Sequence, residues 1–174
     1  MKKIIASLVL AIIALFSFGC TDKLPEEETY IAPYNAILYD NCGLWINDDF
    51  KAENRVKGAI YNDEFEWGDY PKSRTFIITD SDSFKNAIID NFKQFEVDFD
   101  KEMIILYTFA ADSVLPAKLK KMELVDETLS MDCVIELIRN SLTTCQPFQR
   151  WLIVKLDKLS VTAVENTISY EYED

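Results

Sequence analysis

The chain predicts an α+β domain: mainly antiparallel sheet, of meander or sandwich-like form, with one principal amphipathic helix over about residues 82–94. Three observations predict it. Residues 75–110 read as strand, helix, strand. A helical period of three and four appears clearly in one segment only. Several β-branched or aromatic runs with short polar connections follow, and consecutive runs of that kind favour antiparallel meander pairing.

The first 19 residues read as a leader outside the fold. Lys2 and Lys3 form a positive n-region and Ile4 to Phe16 an apolar run, too short to span a bilayer comfortably. Phe16-Ser17-Phe18-Gly19-Cys20 closes the run with a small residue directly before a cysteine. That ending resembles the lipobox of bacterial lipoproteins, although Phe18 is bulkier than the residue usual there. The resemblance implies cleavage before Cys20, lipid on its sulfur and new amino group, and a cell-membrane location facing outside the cytoplasm. An ordinary signal peptide or an uncleaved anchor is the alternative, and either also exports the domain.

Residues 20–34 read as an acidic flexible tether, because the run from Thr21 to Tyr34 holds two prolines and four carboxylates and has little to bury. Residues 35–174 are the expected single domain. Without the leader the chain carries 16 basic and 30 acidic residues, a formal net charge of −14. Such a charge is repelled by nucleic acid and by anionic headgroups, so nucleic-acid binding is excluded and the bilayer is expected to be reached through the lipid.

Ala36–Tyr39 and Gly43–Ile46 read as two short strands, or as one strand and a turn; Lys57–Tyr61 is a further strand candidate. Asp63–Pro71 (DEFEWGDYP) reads as a loop whose Trp67 and Tyr70 either stack on a sugar or a partner's side chain or fold back over the core edge. Thr75–Thr79 is a β-branched strand, and Ser81 or Asp82 is the expected N-cap of the helix that follows. Phe84, Ala87, Ile88, Asn91, Phe92 and Phe95 make the helix's apolar stripe. Val97 and Phe99 alternate with Asp98 and Asp100, returning the chain to extended form. Met103–Phe109 (MIILYTF) is apolar on both alternating faces and is expected to be a central strand covered on each side.

Leu115-Pro116 breaks the chain before Ala117–Leu124, where lysines sit between apolar residues. Met131–Ile138 places Cys133, Ile135 and Leu137 on one face, Arg139–Pro147 reads as a polar turn, and Phe148–Leu156 (FQRWLIVKL) is a second strong strand. Arg150, next to Trp151, reads as an outward-facing charge, or as a group that stacks or pairs with a carboxylate; with Trp67, Tyr70 and Trp151 it is a candidate binding surface. Ile168, Tyr170 and Tyr172 alternate with polar residues, as in a strand with one wet face. Cys133 and Cys145 flank the apparent hairpin turn, so they are the candidate disulfide in an oxidising compartment, with buried free thiols as the alternative. Cys42 is left over.

Two further resemblances lie in this half. Val97-Asp98-Phe99-Asp100-Lys101-Glu102-Met103, together with Pro147-Phe148-Gln149-Arg150-Trp151-Leu152-Ile153-Val154-Lys155-Leu156-Asp157-Lys158-Leu159, resembles a family of small, uncharacterised bacterial lipoproteins. The likeness spans about residues 75–165. More loosely, strand, helix, Val97-Asp98-Phe99, strand and following sheet are similar to the protease-complex lipoprotein subunit (PrcB-like) family. That resemblance implies partnership with an extracellular protease rather than catalysis. Its glycine-rich segment before a late strand is absent; Pro147-Phe148-Gln149 stands near the equivalent place.

The chemistry available is narrow. With no histidine in the chain, Ser-His-Asp, Cys-His and His-ligated metal chemistry are excluded. The glycines beyond the leader, Gly43, Gly58 and Gly68, are too scattered for a phosphate loop. Asp98 with Asp100 and Asp80 with Asp82 are the carboxylate pairs a glycosidase would draw on, but helix capping or turn formation accounts for both. Asp80-Ser81-Asp82 and Asn47-Asp48-Asp49 are oxygen-rich clusters without EF-hand spacing, so no metal and no cofactor is assigned. The expectation is a non-catalytic protein-binding module on a lipid anchor. A carboxylate-dependent hydrolase of wall or glycan material is the alternative, and a structural lipoprotein without a discrete site the third reading.

Overall fold

The computed structural model describes residues 29–31, 34–61, 64–65, 69–89, 95–112, 115–137 and 147–172. Cys20, Trp67 and Cys145 lie outside them. In chain order the elements are β1 (Thr29–Ile31), β2 (Ala36–Tyr39), a 3-10 turn (Cys42–Trp45), α1 (Asp48–Glu53), β3 (Ile60–Tyr61), β4 (Glu64–Phe65) and β5 (Ser73–Ile78). Then come α2 (Ser81–Ala87), β6 (Glu102–Ala111), β7 (Ala117–Val125), β8 (Thr128–Leu137), β9 (Phe148–Asp157) and β10 (Ala163–Tyr172).

The doubly apolar run behaves as its composition requires. β6 lies inside a sheet of order β1-β2-β9-β6-β5, paired antiparallel with β9 over ten residues and with β5 over six. Its Met103, Ile105, Tyr107 and Phe109 join Leu152, Val154 and Leu156 of β9 in a core shared with Leu119, Leu129, Met131 and Ile135 of the second sheet, β10-β8-β7. Its Ile104 and Leu106 face the other way, with Ile153 and Trp151, into a core closed by the 3-10 turn, α2 and Phe95. The architecture is therefore α+β and mainly antiparallel: two packed sheets, the larger covered on its outer face by short helical elements, and a two-stranded β3–β4 ribbon.

Several expectations need correction. The helix runs over Ser81–Ala87 and has ended by Ile88, short of the expected 82–94, of which residues 90–94 lie outside the described ones; its N-cap is Asp80, whose carboxylate accepts the N–H groups of Asp82 and Ser83 at 3.0 and 2.9 Å. It stops because Ile88 turns extended and bridges Ile46, with the Asn47 N–H donating to the Ala87 carbonyl and the Ile89 N–H to that of Trp45. Both isoleucines are buried, so tertiary burial of β-branched residues outweighs continuation of the helix. The apolar stripe was nonetheless informative, since Ala87, Ile88 and Phe95 are core and Phe84 packs against them. Residues 95–101 form coil and turn rather than a strand. Asp98 closes that turn by accepting from the Lys101 ammonium at 2.9 Å and the Asp100 N–H at 3.2 Å.

The domain begins earlier than the expected residue 35. β1 pairs antiparallel with β2, Thr29 opposite Leu38, so the folded domain already includes Thr29. Of the two readings of residues 36–46, one strand and a turn is correct.

The meander expectation fails at the end of the chain. β8 and β9 are not a hairpin; they belong to different sheets, and β10 pairs with β8 in parallel, Ala163 opposite Thr128 through Tyr172 opposite Leu137. Parallel neighbours need a crossover, and β9, inserted between β2 and β6, supplies it. The candidate Cys133–Cys145 bridge loses its hairpin rationale by the same fact. Cys133 is a buried free thiol on the inner face of β8, and burial pushes it up to about 12.

Candidate functional site

The site grows from the point where β2 ends. Asn41 adopts a left-handed conformation with φ 54°, one that Asn tolerates better than most residues. The chain there turns away from the sheet into Cys42–Trp45. Cys42 and Trp45 point into the core, and that leaves Leu44, between them, pointing out at 83% exposure. Asn47 then opens α1, with its side-chain amide donating to the carbonyls of Lys85 and Asn86 at 2.9 and 2.7 Å. This ties α1 to the end of α2.

Between this layer, β3 and the beginning of β9 lies an open groove of about 660 Å³. Asn41, Gly43 and Leu44 form one wall, Asp48, Lys51 and Arg55 another, with Tyr61, Phe148, Gln149 and Trp151 completing the lining. The lining is held by a fixed polar network. The Tyr61 hydroxyl accepts the Val56 N–H at 2.7 Å and shares its proton between the Val56 carbonyl at 2.8 Å and Gln149 Oε1 at 3.0 Å. Gln149 Nε2 donates to the Asn54 carbonyl at 2.8 Å and to Thr108 Oγ1 at 2.9 Å. The Arg55 guanidinium lies over the Tyr61 ring, 4.8 Å from its centroid. Lys51 pairs with Asp48 at 2.8 Å, and that ammonium holds the Asp48 carboxyl below its usual range. Among the described residues Lys51, Arg55 and Asp48 are the charged side chains of this lining.

The sequence-derived site residues divide. Trp151 is in the groove but only 2% exposed, so it is a packed floor, in contact with Phe50, rather than an exposed stacking ring. Arg150 is not on the surface at all. Alternation along β9 turns it to the face of Leu152 and Val154, where it is 1% exposed and paired with Asp40. The outward-charge and binding-surface readings of Arg150 fail, whereas pairing with a carboxylate is what occurs, the partner being Asp40, distant in sequence. Tyr70 is half-buried and outside the groove, and Trp67 lies outside the described residues. Leu44, Lys51, Arg55, Tyr61 and Gln149 were missed. The usable signal was local: Asn41 and Gly43 before an apolar triplet mark a turn, which exposes one member of the triplet.

The carboxylate clusters serve structure. Asp80 caps α2, Asp98 closes its turn and Asp48 pairs with Lys51. Asp40 is the buried carboxylate among the described residues, and it accepts four donors: Arg150 Nε and Nη2 and the N–H groups of Asn41 and Ala117. Among the described residues no three metal-ligating side chains gather. The Cys42 thiol donates to the Tyr39 carbonyl, and burial, aided by Asp40, pushes it well above its ordinary value.

Compared with protein-family models, curated proteins and solved structures, the chain matches none.

Proposed function

We propose that this chain is an extracytoplasmic lipoprotein, anchored to the cell membrane through lipid on Cys20, whose domain binds a protein partner in the Asn41–Trp151 groove and catalyses no reaction. The observation that carries the binding role is Leu44. A leucine 83% exposed on the rim of a groove with a hydrogen-bonded lining has the form of an anchor point. Arg55 over Tyr61 and the Lys51–Asp48 pair add polar groups to the lining, of the kind that orient a partner. The lipobox-like leader ending at Gly19-Cys20 supports the anchoring.

The test is site-specific photo-cross-linking of the full chain in native membranes. A photoreactive residue replacing Leu44 is expected to give one dominant protein adduct, weakened at least tenfold by Arg55→Glu. The same residue at Val125, also exposed, is expected to give no such adduct. Equal adducts at both positions, or a Leu44 adduct indifferent to Arg55→Glu, would overturn the groove as the binding site.

A further inference from the structure

We infer that the free edge of β10 is a second docking site, where an extended basic segment of a protein adds as a further strand, with lysine or arginine opposite Glu165 and Glu171. The site lies apart from the groove, to whose lining β10 contributes nothing, and stands without it. β10 pairs with β8 over its whole length, Ala163 opposite Thr128 through Tyr172 opposite Leu137. Among the described residues no strand pairs with its other side. The Ala163 N–H donates to the Glu127 carbonyl at 3.4 Å, so the odd-numbered residues of β10 turn their backbone groups to β8. By alternation, the N–H and C=O groups of the even-numbered residues, Ile168 and Tyr170 among them, face the free edge.

The other edges are defended. β1 is three residues long, β3 and β4 are two each, and β5 is six and carries Arg74. β7 has a register shift between Leu119 and Lys121 and bears three lysines, Lys118, Lys120 and Lys121. β10 has none of these devices: it is ten residues long, with no proline, lysine or arginine and an unbroken register. A long regular edge of that kind is a template for strand addition, in which main-chain hydrogen bonds supply affinity and side chains select the partner. It is also held in place, since Asn166 Nδ2 donates to Thr75 Oγ1 of β5 at 2.8 Å.

The side chains select a basic occupant. Glu165 and Glu171 share the outward face, roughly 20 Å apart, with Thr167 and Ser169 between them. Glu165 is exposed, and Glu171 pairs with Lys120 yet stays half exposed. Residues 159–174 hold four carboxylates and no cation. On the opposite face Val164 and Ile168 pack against the core, while Tyr170 and Tyr172 are 43% and 65% exposed. An incoming strand therefore meets carboxylates on one face and tyrosine rings on the other. A second copy of this strongly acidic chain would bring more carboxylates to the same edge, so like charges oppose self-pairing.

The experiment adds a synthetic nine-residue peptide to the full chain in detergent micelles. The peptide has lysine at its second and eighth positions, serine or threonine at the fourth and sixth, and valine or tyrosine at the odd ones. Its controls carry glutamate for both lysines, or the same composition scrambled. Binding by fluorescence anisotropy is expected to be at least tenfold tighter than for either control, with amide exchange at Ile168 and Tyr170 slowed at least tenfold. Glu165→Lys with Glu171→Lys is expected to reverse the preference between the lysine and glutamate peptides. Tyr170→Pro removes an edge N–H without removing a bond to β8, and is expected to weaken binding at least tenfold. Leu44→Ala is expected to change nothing.

Absence of binding, equal binding of the scrambled peptide, or binding without slowed edge amides overturns strand addition. A preference unmoved by the charge reversal overturns the role of Glu165 and Glu171. Binding lost in Leu44→Ala but kept in Tyr170→Pro assigns the peptide to the groove and overturns the edge. A peptide-free chain that sediments as a dimer, and as a monomer once Tyr170 is proline, gives the edge to a second copy and overturns the basic partner.

Discussion

Arg150 and Asp40 form a side-on ion pair inside the sandwich. Arg150 Nε donates to Asp40 Oδ1 at 2.9 Å, Nη2 donates to Oδ2, and Nη2 also reaches the Leu115 carbonyl. Asp40 Oδ2 in turn accepts the Ala117 N–H at 2.7 Å. One charged cluster thereby joins β2 and β9 of the larger sheet to the start of β7 in the smaller one, immediately behind the groove.

Breaking this pair on one side is expected to be costly. Asp40→Leu leaves a buried guanidinium without its counter-charge, and a loss of about 3–5 kcal/mol is expected from the urea midpoint. Combining Asp40→Leu with Arg150→Met is expected to cost much less than the sum of the single changes, because neither then strands a charge. Additive losses would show that the two groups do not act as a pair.

Cys133 predicts a pH dependence at the alkaline side. Its thiol is pushed up to about 12 from 9.0, chiefly by burial, so the folded state holds the proton more tightly than the unfolded chain does. The neutral thiol's contribution is complete below about pH 9 and is lost as pH rises towards 12, with a slope of at most about 1.4 kcal/mol per pH unit. The stability penalty of Cys133→Ala is therefore expected to be larger at pH 8 than at pH 10.5, by paired urea titrations. A penalty unchanged across that window would contradict the assignment.

Asp80 predicts the opposite sign in acid. Hydrogen bonds from the Ser83 N–H and hydroxyl, with a further bond from the Asp82 N–H, hold its carboxyl below 3.8. The cap's contribution is present above that value and is lost as pH falls through the lowered one. Asp80→Ala is expected to lower the thermal midpoint at pH 7, and the gap is expected to close as the solution is acidified below 3.8.

Gln149 links three segments of the groove lining through Tyr61, Asn54 and Thr108. Gln149→Leu leaves these groups without their partner at nearly constant volume, and a destabilisation of about 1–3 kcal/mol is expected. The same variant is expected to broaden the backbone resonances of Asn54–Tyr61 while those of β8 and β10 stay sharp.

The legible parts of this protein were those governed by period and composition. Met103–Phe109 could only be a strand with both faces covered, since a continuous apolar run leaves no wet side. Thr75–Thr79 and Phe148–Leu156 read as strands for related reasons of β-branched and aromatic content, and the strands observed run over Ser73–Ile78 and Phe148–Asp157. The alternating run ending in Tyr172 is likewise a strand. Local rules went astray where a distant partner decided the outcome. The helix after Asp80 ended at Ala87 because Ile46, some forty residues earlier, offered Ile88 a buried bridge.

Sequence by itself determined the fold class, the inner strand and the apolar residues of the regular strands, because burial patterns there are written in single-chain periodicity. Tertiary structure alone decided which strands neighbour one another, including the parallel β8–β10 pair. It also turned Arg150 inward to Asp40 and left Leu44 at a groove rim. Those outcomes depend on contacts between residues up to 110 positions apart, and no local period or propensity encodes such a contact.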